Sequence, residues 1–395
     1  MAARFMIMPA RRCRNFVLLL MLIQIMFGLL HSVQDWQTIY EEENLEMERQ
    51  LKLINKPPIK SFKTDYGDIL DCIDIYKQHA FDHPLLKGHK VQMEPKNIPK
   101  WMMEGESPRL LPNNIKCPPG SVLIKRTTKQ DLIMAKQMNH PTSSRFRTTD
   151  GAAASSFSYA TVRYRKHNFG ATTTMNVWAP STLSTQSSMS SIWIENGPNE
   201  DLNIIEAGWA VNRMLYSDNY TRLFAFWSGG HKTRGCFNYL CPGFVQVHRE
   251  ISLGLVLNQI SVYSGVQRDI QIGILRDGEW WLKYFNQFIG YWPQKLFFYM
   301  YGGATNVMWG GHVFSPINQP SPAMGSGHFP KDGLQNKSAY FKDTQMWDNV
   351  HLIYPQPDQL VASSSRPDCY EAMLTPGVAP NPMDFFYGGP GQCSL

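Results

Sequence analysis

Ala171-Thr172-Thr173-Thr174-Met175-Asn176-Val177 is the stretch that decides the fold class. Ala171, Thr173, Met175 and Val177 alternate with Thr172, Thr174 and Asn176, so an extended chain turns one set toward a core and the other away from it. Ile270, Ile272 and Ile274 repeat the pattern against Asp269, Gln271 and Gly273, and Ile251, Leu253 and Leu255 alternate in the same way. Short breaks rich in Gly and Pro separate these runs, and no helix-period run of useful length follows residue 150. The pattern predicts half-buried antiparallel strands in an all-β sandwich or open barrel.

Composition agrees with a folded chain. Of 395 residues, 43% are hydrophobic and 18% charged, enough to bury a core, and the length suits two units of unequal size. Aromatic residues make up 12%, which favours strands. The net charge is +6, and no dense Lys/Arg block follows the first residues, so the electrostatic footprint of a nucleic-acid binder is missing.

The start of the chain sets the compartment. Arg4, Arg11, Arg12 and Arg14 precede an apolar run from Phe16 to Leu30 that only Gln24 and Gly28 interrupt. The run falls short of the ~20 residues a membrane-crossing helix needs. It reads as a secretory signal over residues 1–32, with no stable membrane association after cleavage. Leu30 suits a cut at Ser32 poorly, which leaves an uncleaved signal anchor as the alternative. Cys13 departs with the signal and leaves six of the seven cysteines: Cys72, Cys117, Cys236, Cys241, Cys369 and Cys393. Pairing of neighbours is the simplest connectivity, though spacing alone does not fix it. Asn219-Tyr220-Thr221 and Asn336-Lys337-Ser338 are glycosylation sequons compatible with that route, which leads to the extracellular space or the vacuole.

Between the signal and the strands the chain is mixed. Trp36 to Leu53 is charged with a sparse apolar stripe and reads as a short exposed helix or a spacer, stopped by Lys56-Pro57-Pro58. A mixed segment continues to Thr127. Residues Thr128 to Ala154 show little periodicity and are expected to form a linker where a processing protease cuts.

Two residues stand out as chemistry. Glu206 interrupts an apolar strand pattern, Ile204-Ile205-Glu206-Ala207-Gly208-Trp209. Facing inward, its carboxyl loses hydration and its pKa rises unless a donor or cation compensates, as in a general acid or base. Facing outward, it is a solvated strand residue with Ile205, Ala207 and Trp209 toward the core. His312 follows Gly310-Gly311, and two glycines within a strand mark a bulge or a close backbone approach, of which a bound peptide is one kind. The plainer reading is a hydrogen-bonded His at a strand end.

Other schemes find less support. His312, His328 and an acid lack a close ligand pair, so no metal or other cofactor is expected. No G-x-S-x-G elbow occurs, and every cysteine of the exported chain has a candidate disulfide partner, which argues against a thiolate nucleophile. Trp280-Trp281-Leu282 and Gly290-Tyr291-Trp292-Pro293 line either a core or a groove for a flat ring such as proline.

Taken together, these segments resemble the neprosin family. The front match runs through Gly67-Asp68-Ile69-Leu70-Asp71-Cys72-Ile73-Asp74, Gln78-His79-Ala80-Phe81-Asp82-His83-Pro84 and Cys117-Pro118-Pro119-Gly120. The rear match includes Ile205-Glu206-Ala207-Gly208-Trp209, Gly290-Tyr291-Trp292-Pro293, Met324-Gly325-Ser326-Gly327-His328-Phe329 and Phe386-Tyr387-Gly388-Gly389-Pro390-Gly391. The resemblance implies a curved antiparallel β-sandwich over residues 141–395, behind a smaller mixed α+β activation propeptide over 33–140. It implies a glutamic peptidase cutting on the carboxyl side of proline, held latent by its propeptide until acid activates it. Its partners are then a peptide or protein substrate and its own propeptide. The family's catalytic pair is two glutamates. One carries over as Glu206; where the family has Gly-Gly-Glu, this chain has Gly310-Gly311-His312. The change leaves two expectations open: a peptidase using Glu206 and His312, or a silent relative that binds Pro-rich peptides or glycans in the same groove. A carbohydrate-binding sandwich rests on fold analogy alone.

Overall fold

The computed structural model describes residues 40–105, 107–137, 157–230, 235–333, 336–375 and 384–393. The expected signal, Cys13 and most of the expected linker lie outside these residues. Residues 40–54 form a largely exposed helix, in keeping with the charged stretch ahead of Pro57. Three short antiparallel strands follow in the order β1 (Lys60–Lys63), β2 (Ile69–Asp74) and β3 (Ser121–Lys125). The Cys72–Cys117 disulfide joins β2 to the approach of β3, and both cysteines are buried with Leu70 and Leu123 in a small core.

One expectation fails at this point. The front of the stretch expected to be linker is a helix, Lys129–Gln137. Thr128 and Asp131 hold its first turn reciprocally, each side chain accepting from the other's backbone N–H at 3.1 and 2.8 Å. This capping box fixes a helix whose weak apolar periodicity hid it.

From Phe157 onward strands dominate. They run β4 (Phe157–Tyr164), β5 (Gly170–Asn176), β6 (Ser187–Asn196), β7 (Asn203–Asn212), β8 (Arg222–Gly229), β9 (Cys236–Phe237) and β10 (Val245–Gln246). Next come β11 (Asp269–Asp277), β12 (Glu279–Tyr284), β13 (Gln287–Trp292) and β14 (Asn306–Phe314). The last are β15 (Ala339–Trp347), β16 (Leu352–Ile353), β17 (Leu360–Ser364), β18 (Glu371–Leu374) and β19 (Phe385–Gly388). Among the described residues these form two antiparallel sheets. A seven-stranded sheet has the order β17-β4-β14-β6-β7-β8-β9; a nine-stranded sheet has β10-β13-β12-β11-β5-β15-β19-β18, with β16 on β15. The fold is thus an all-β sandwich behind a smaller mixed section.

Alternation places the core between the sheets. Ile192, Ile194, Ile205, Ala207 and Trp209 belong to the same buried cluster as Ile270, Ile272, Ile274 and Leu282. Trp209 donates its indole N–H to the Asn176 carbonyl (2.9 Å), and the Tyr387 hydroxyl donates to Ser190 (2.6 Å). Trp280, Trp281, Tyr291 and Trp292 are all fully buried, so both aromatic segments are core and line no groove. Ile251, Leu253 and Leu255 are buried but form no strand. The backbone turns at Gly254 (φ +84°), and its bonds go to Leu223 on β8.

The front section packs on the nine-stranded sheet and beside β8. Ala80, Leu86, Ile98 and Met102 join the main core cluster with Trp281 and Tyr291. Gln78 mimics a strand against β10, donating to the Gln246 carbonyl (3.0 Å) and accepting from the Gln246 N–H (2.7 Å). Asp277 accepts from the backbone N–H groups of Lys96 (2.5 Å) and Asn97 (2.7 Å). Buried Arg222 reaches Asp68 (2.7 Å), Asp218 (2.6 Å) and the Gly254 carbonyl (2.6 Å).

Candidate active site on the seven-stranded sheet

All of β7 is buried, yet its two faces differ. Ile205, Ala207 and Trp209 enter the inter-sheet core, whereas Ile204 and Ala210 join Met189, Trp193, Phe224, Phe226 and Met308 in a second cluster on the other face. Glu206 belongs to this second face, where Trp193 and Phe226 are its cross-strand neighbours. The outward reading of the sequence therefore has the direction right and the environment wrong: Glu206 is 0% exposed.

His312 lies on the same face, two strands away on β14, and is 2% exposed. Its ring packs among Trp193, Tyr159 and Phe157, with ring centroids 5.1, 6.1 and 6.4 Å away. Its Nε2 lies 2.8 Å from Glu206 Oε1. Residues 106 apart in sequence thus meet as an acid and a base. The Ser191 hydroxyl donates to the same Glu206 oxygen, also at 2.8 Å. A carboxylate withdrawn from water needs such donors, and bonds to an ionised acceptor are the strong kind.

The local sequence explains how they reach each other. Ser191 sits in a cross-strand row between Gly310 on β14 and Gly208 on β7. With no side chain on either flank, His312 and Glu206 lean together above Ser191. Gly310 also answers to its own backbone: φ is +148°, and a Cβ there would lie 2.2 Å from the Ala160 carbonyl oxygen. The close approach expected at the glycines is therefore that of strand β4. Of the two readings of these glycines, the close approach holds and the bulge does not, because β14 keeps continuous register with both β4 and β6.

Ser191 was not among the residues singled out from the sequence. It lies in Ser187-Ser188-Met189-Ser190-Ser191, a serine-rich run that the structure buries entirely within a strand and that carries no sequence signal of its role. The remaining candidates lie elsewhere. His328 stacks on Tyr263 with centroids 4.1 Å apart. Disulfides join Cys236 to Cys241 and Cys369 to Cys393. Asn219 and Asn336 are both exposed.

Residues 184–390, which contain Glu206, Ser191 and His312, match the neprosin domain, and residues 61–173 match the neprosin activation peptide. The chain belongs to the neprosin family. Its neprosin domain match begins just ahead of β6, whereas the activation-peptide match runs on through β4 into β5. Similar solved structures include scytalido-glutamic peptidase with a transition-state analog inhibitor, at 10% identity over 58% of this chain and 97% of that one, TM-score 0.32. Another is SCP-B, a member of the Eqolisin family of peptidases, in complex with the tripeptide Ala-Ile-His: 10% identity, 59% and 96% coverage, TM-score 0.31. A β-porphyranase from the human gut bacterium Bacteroides plebeius follows at 9% identity, 40% and 56% coverage, TM-score 0.22.

Proposed function

We propose that this neprosin relative is a secreted peptidase made in latent form, cutting on the carboxyl side of proline at acidic pH, with Glu206 and His312 as its reacting groups. The observation that carries this reading is the 2.8 Å contact between Glu206 Oε1 and His312 Nε2 in a buried site. The carboxylate of Glu206 takes a proton from water as the water oxygen bonds to the peptide carbonyl carbon. The N–H of His312 donates to the carbonyl oxygen as charge develops there. Glu206 then passes its proton to the departing nitrogen as the C–N bond breaks, and His312 recovers its own. Ser191 holds the carboxylate in position throughout.

A second reading, a binding protein without turnover, draws on the same contact. His312 bonds directly to Glu206, where hydrolysis requires room for a water between acid and base. The test is to expose the full chain to acidic pH with a proline-containing peptide and locate cuts by mass spectrometry, beside Glu206→Gln. Cuts after proline by the wild type alone support the peptidase. Binding without cuts in both supports the second reading.

Latency follows from the activation-peptide match. The section to be removed ends before Phe157, because β4 lies between β17 and β14, and β5 between β11 and β15. Taking both strands away would split each sheet. A boundary near residue 140, behind a signal over 1–32, keeps the sandwich whole.

A further inference from the structure

The face that carries Glu206 and His312 has a second polar group, with three atoms short of partners. Arg163 on β4 pairs with Met308, Met308 with Trp193, and Trp193 with Glu206, so Arg163 and Glu206 end one cross-strand row. Three strand-to-strand steps span roughly 14 Å, about the length of four extended residues. Trp193 and Met308 form an apolar floor between the two ends. Among the described residues, the Arg163 guanidinium donates from Nη2 to Met308 Sδ (3.1 Å), and its buried Nε has no partner. In the next row, Asn306 donates to Glu195 Oε1 (2.5 Å), while Glu195 Oε2 and Asn306 Oδ1 are buried without partners among the described residues. Burial, opposed by the Asn306 hydrogen bond and the nearby Arg163 and Arg165, holds the Glu195 carboxyl above its ordinary pKa.

We propose that Arg163 is a specificity residue that binds a carboxylate of the peptide lying across the row from Glu206, beside the Glu195–Asn306 pair of the next row. This rests on the peptide-binding reading of the same face given above. A guanidinium offers paired donors matched to a carboxylate, and buried polar atoms without partners mark where a ligand completes the bonding. The carboxylate belongs either to an acidic side chain three or four residues from the bond cut or to the chain terminus.

The test measures binding separately from turnover. The full chain carrying Glu206→Gln, after acid exposure, is titrated by tryptophan fluorescence with matched proline peptides. One set carries Asp or Asn at that spacing; the other ends in a free acid or an amide. The expected result is at least tenfold tighter binding of one carboxylate form. Arg163→Met abolishes that preference without weakening the neutral peptide, and Arg163→Lys keeps part of it, since it retains charge without the fork. Which set shows the preference identifies the carboxylate. Equal preference in wild type and Arg163→Met overturns the subsite alone, and failure of every peptide to bind overturns both the subsite and the peptide-binding reading.

Discussion

The two sheets of the sandwich handle their outer faces differently. The nine-stranded sheet meets the front section through many separable contacts: apolar side chains, the Gln78–Gln246 pair and the ring of His89 bonded to the Tyr291 hydroxyl at 2.8 Å. The seven-stranded sheet carries a sealed pair, Glu206 and His312, joined by one short bond among aromatic rings. An interface of many modest bonds can be loosened by titrating a few histidines. A buried pair whose carboxylate is also held by Ser191 changes when a partner is replaced. The comparison therefore separates a docked interface from the buried pair proposed to react.

The largest effect is expected on the pair. Glu206→Gln should lower peptide cleavage by roughly a hundredfold or more, since general acid–base groups contribute about 10²–10⁴. Front-section docking, followed by size-exclusion chromatography, should not change. Next comes stability. His312→Ala leaves a buried carboxylate without its ring partner and should cost about 3–5 kcal/mol in a denaturant melt at neutral pH. Ser191→Ala removes one bond to that carboxylate and should cost about 1.5–3 kcal/mol.

The smallest effect per group sharpens the other side of the comparison. Burial, and then the nearby Lys295, hold His83 and His89 below their ordinary 6.5. Packed, these rings bind fewer protons than in a detached front section, so their contribution to docking is complete above 6.5 and declines as pH falls from there toward their lowered values. Limited proteolysis of the front section should accelerate across that window. Replacing both with Gln should flatten the dependence, and an unchanged profile would place the acid response elsewhere.

Much of the architecture was legible in the sequence because it depends on alternation. The runs at 171–177 and 269–274 predicted strands that pair side by side as β5 and β11. The run at Ile251 misled because burial alone gives it alternation while Gly254 turns its backbone away from a ladder. The helix at Lys129 was missed because a cap, rather than a periodic face, specifies its start. Glu206 and His312 were legible as misfits of pattern. Ser191 was not, because a serine on a strand covered on both faces is indistinguishable by sequence from one facing solvent. Likewise, strand order alone brings Arg163 into line with Glu206, and a register across four strands is written in no local motif.

The most direct measurement compares wild type with His312→Glu, each acid-treated as the full chain and assayed for kcat/KM on one proline peptide across the acidic range. Wild type is expected to cleave through its Glu206–His312 pair, and the substitution to shift the pH profile because two carboxyls then titrate as one coupled unit. An inert wild type beside an active His312→Glu variant would contradict this expectation.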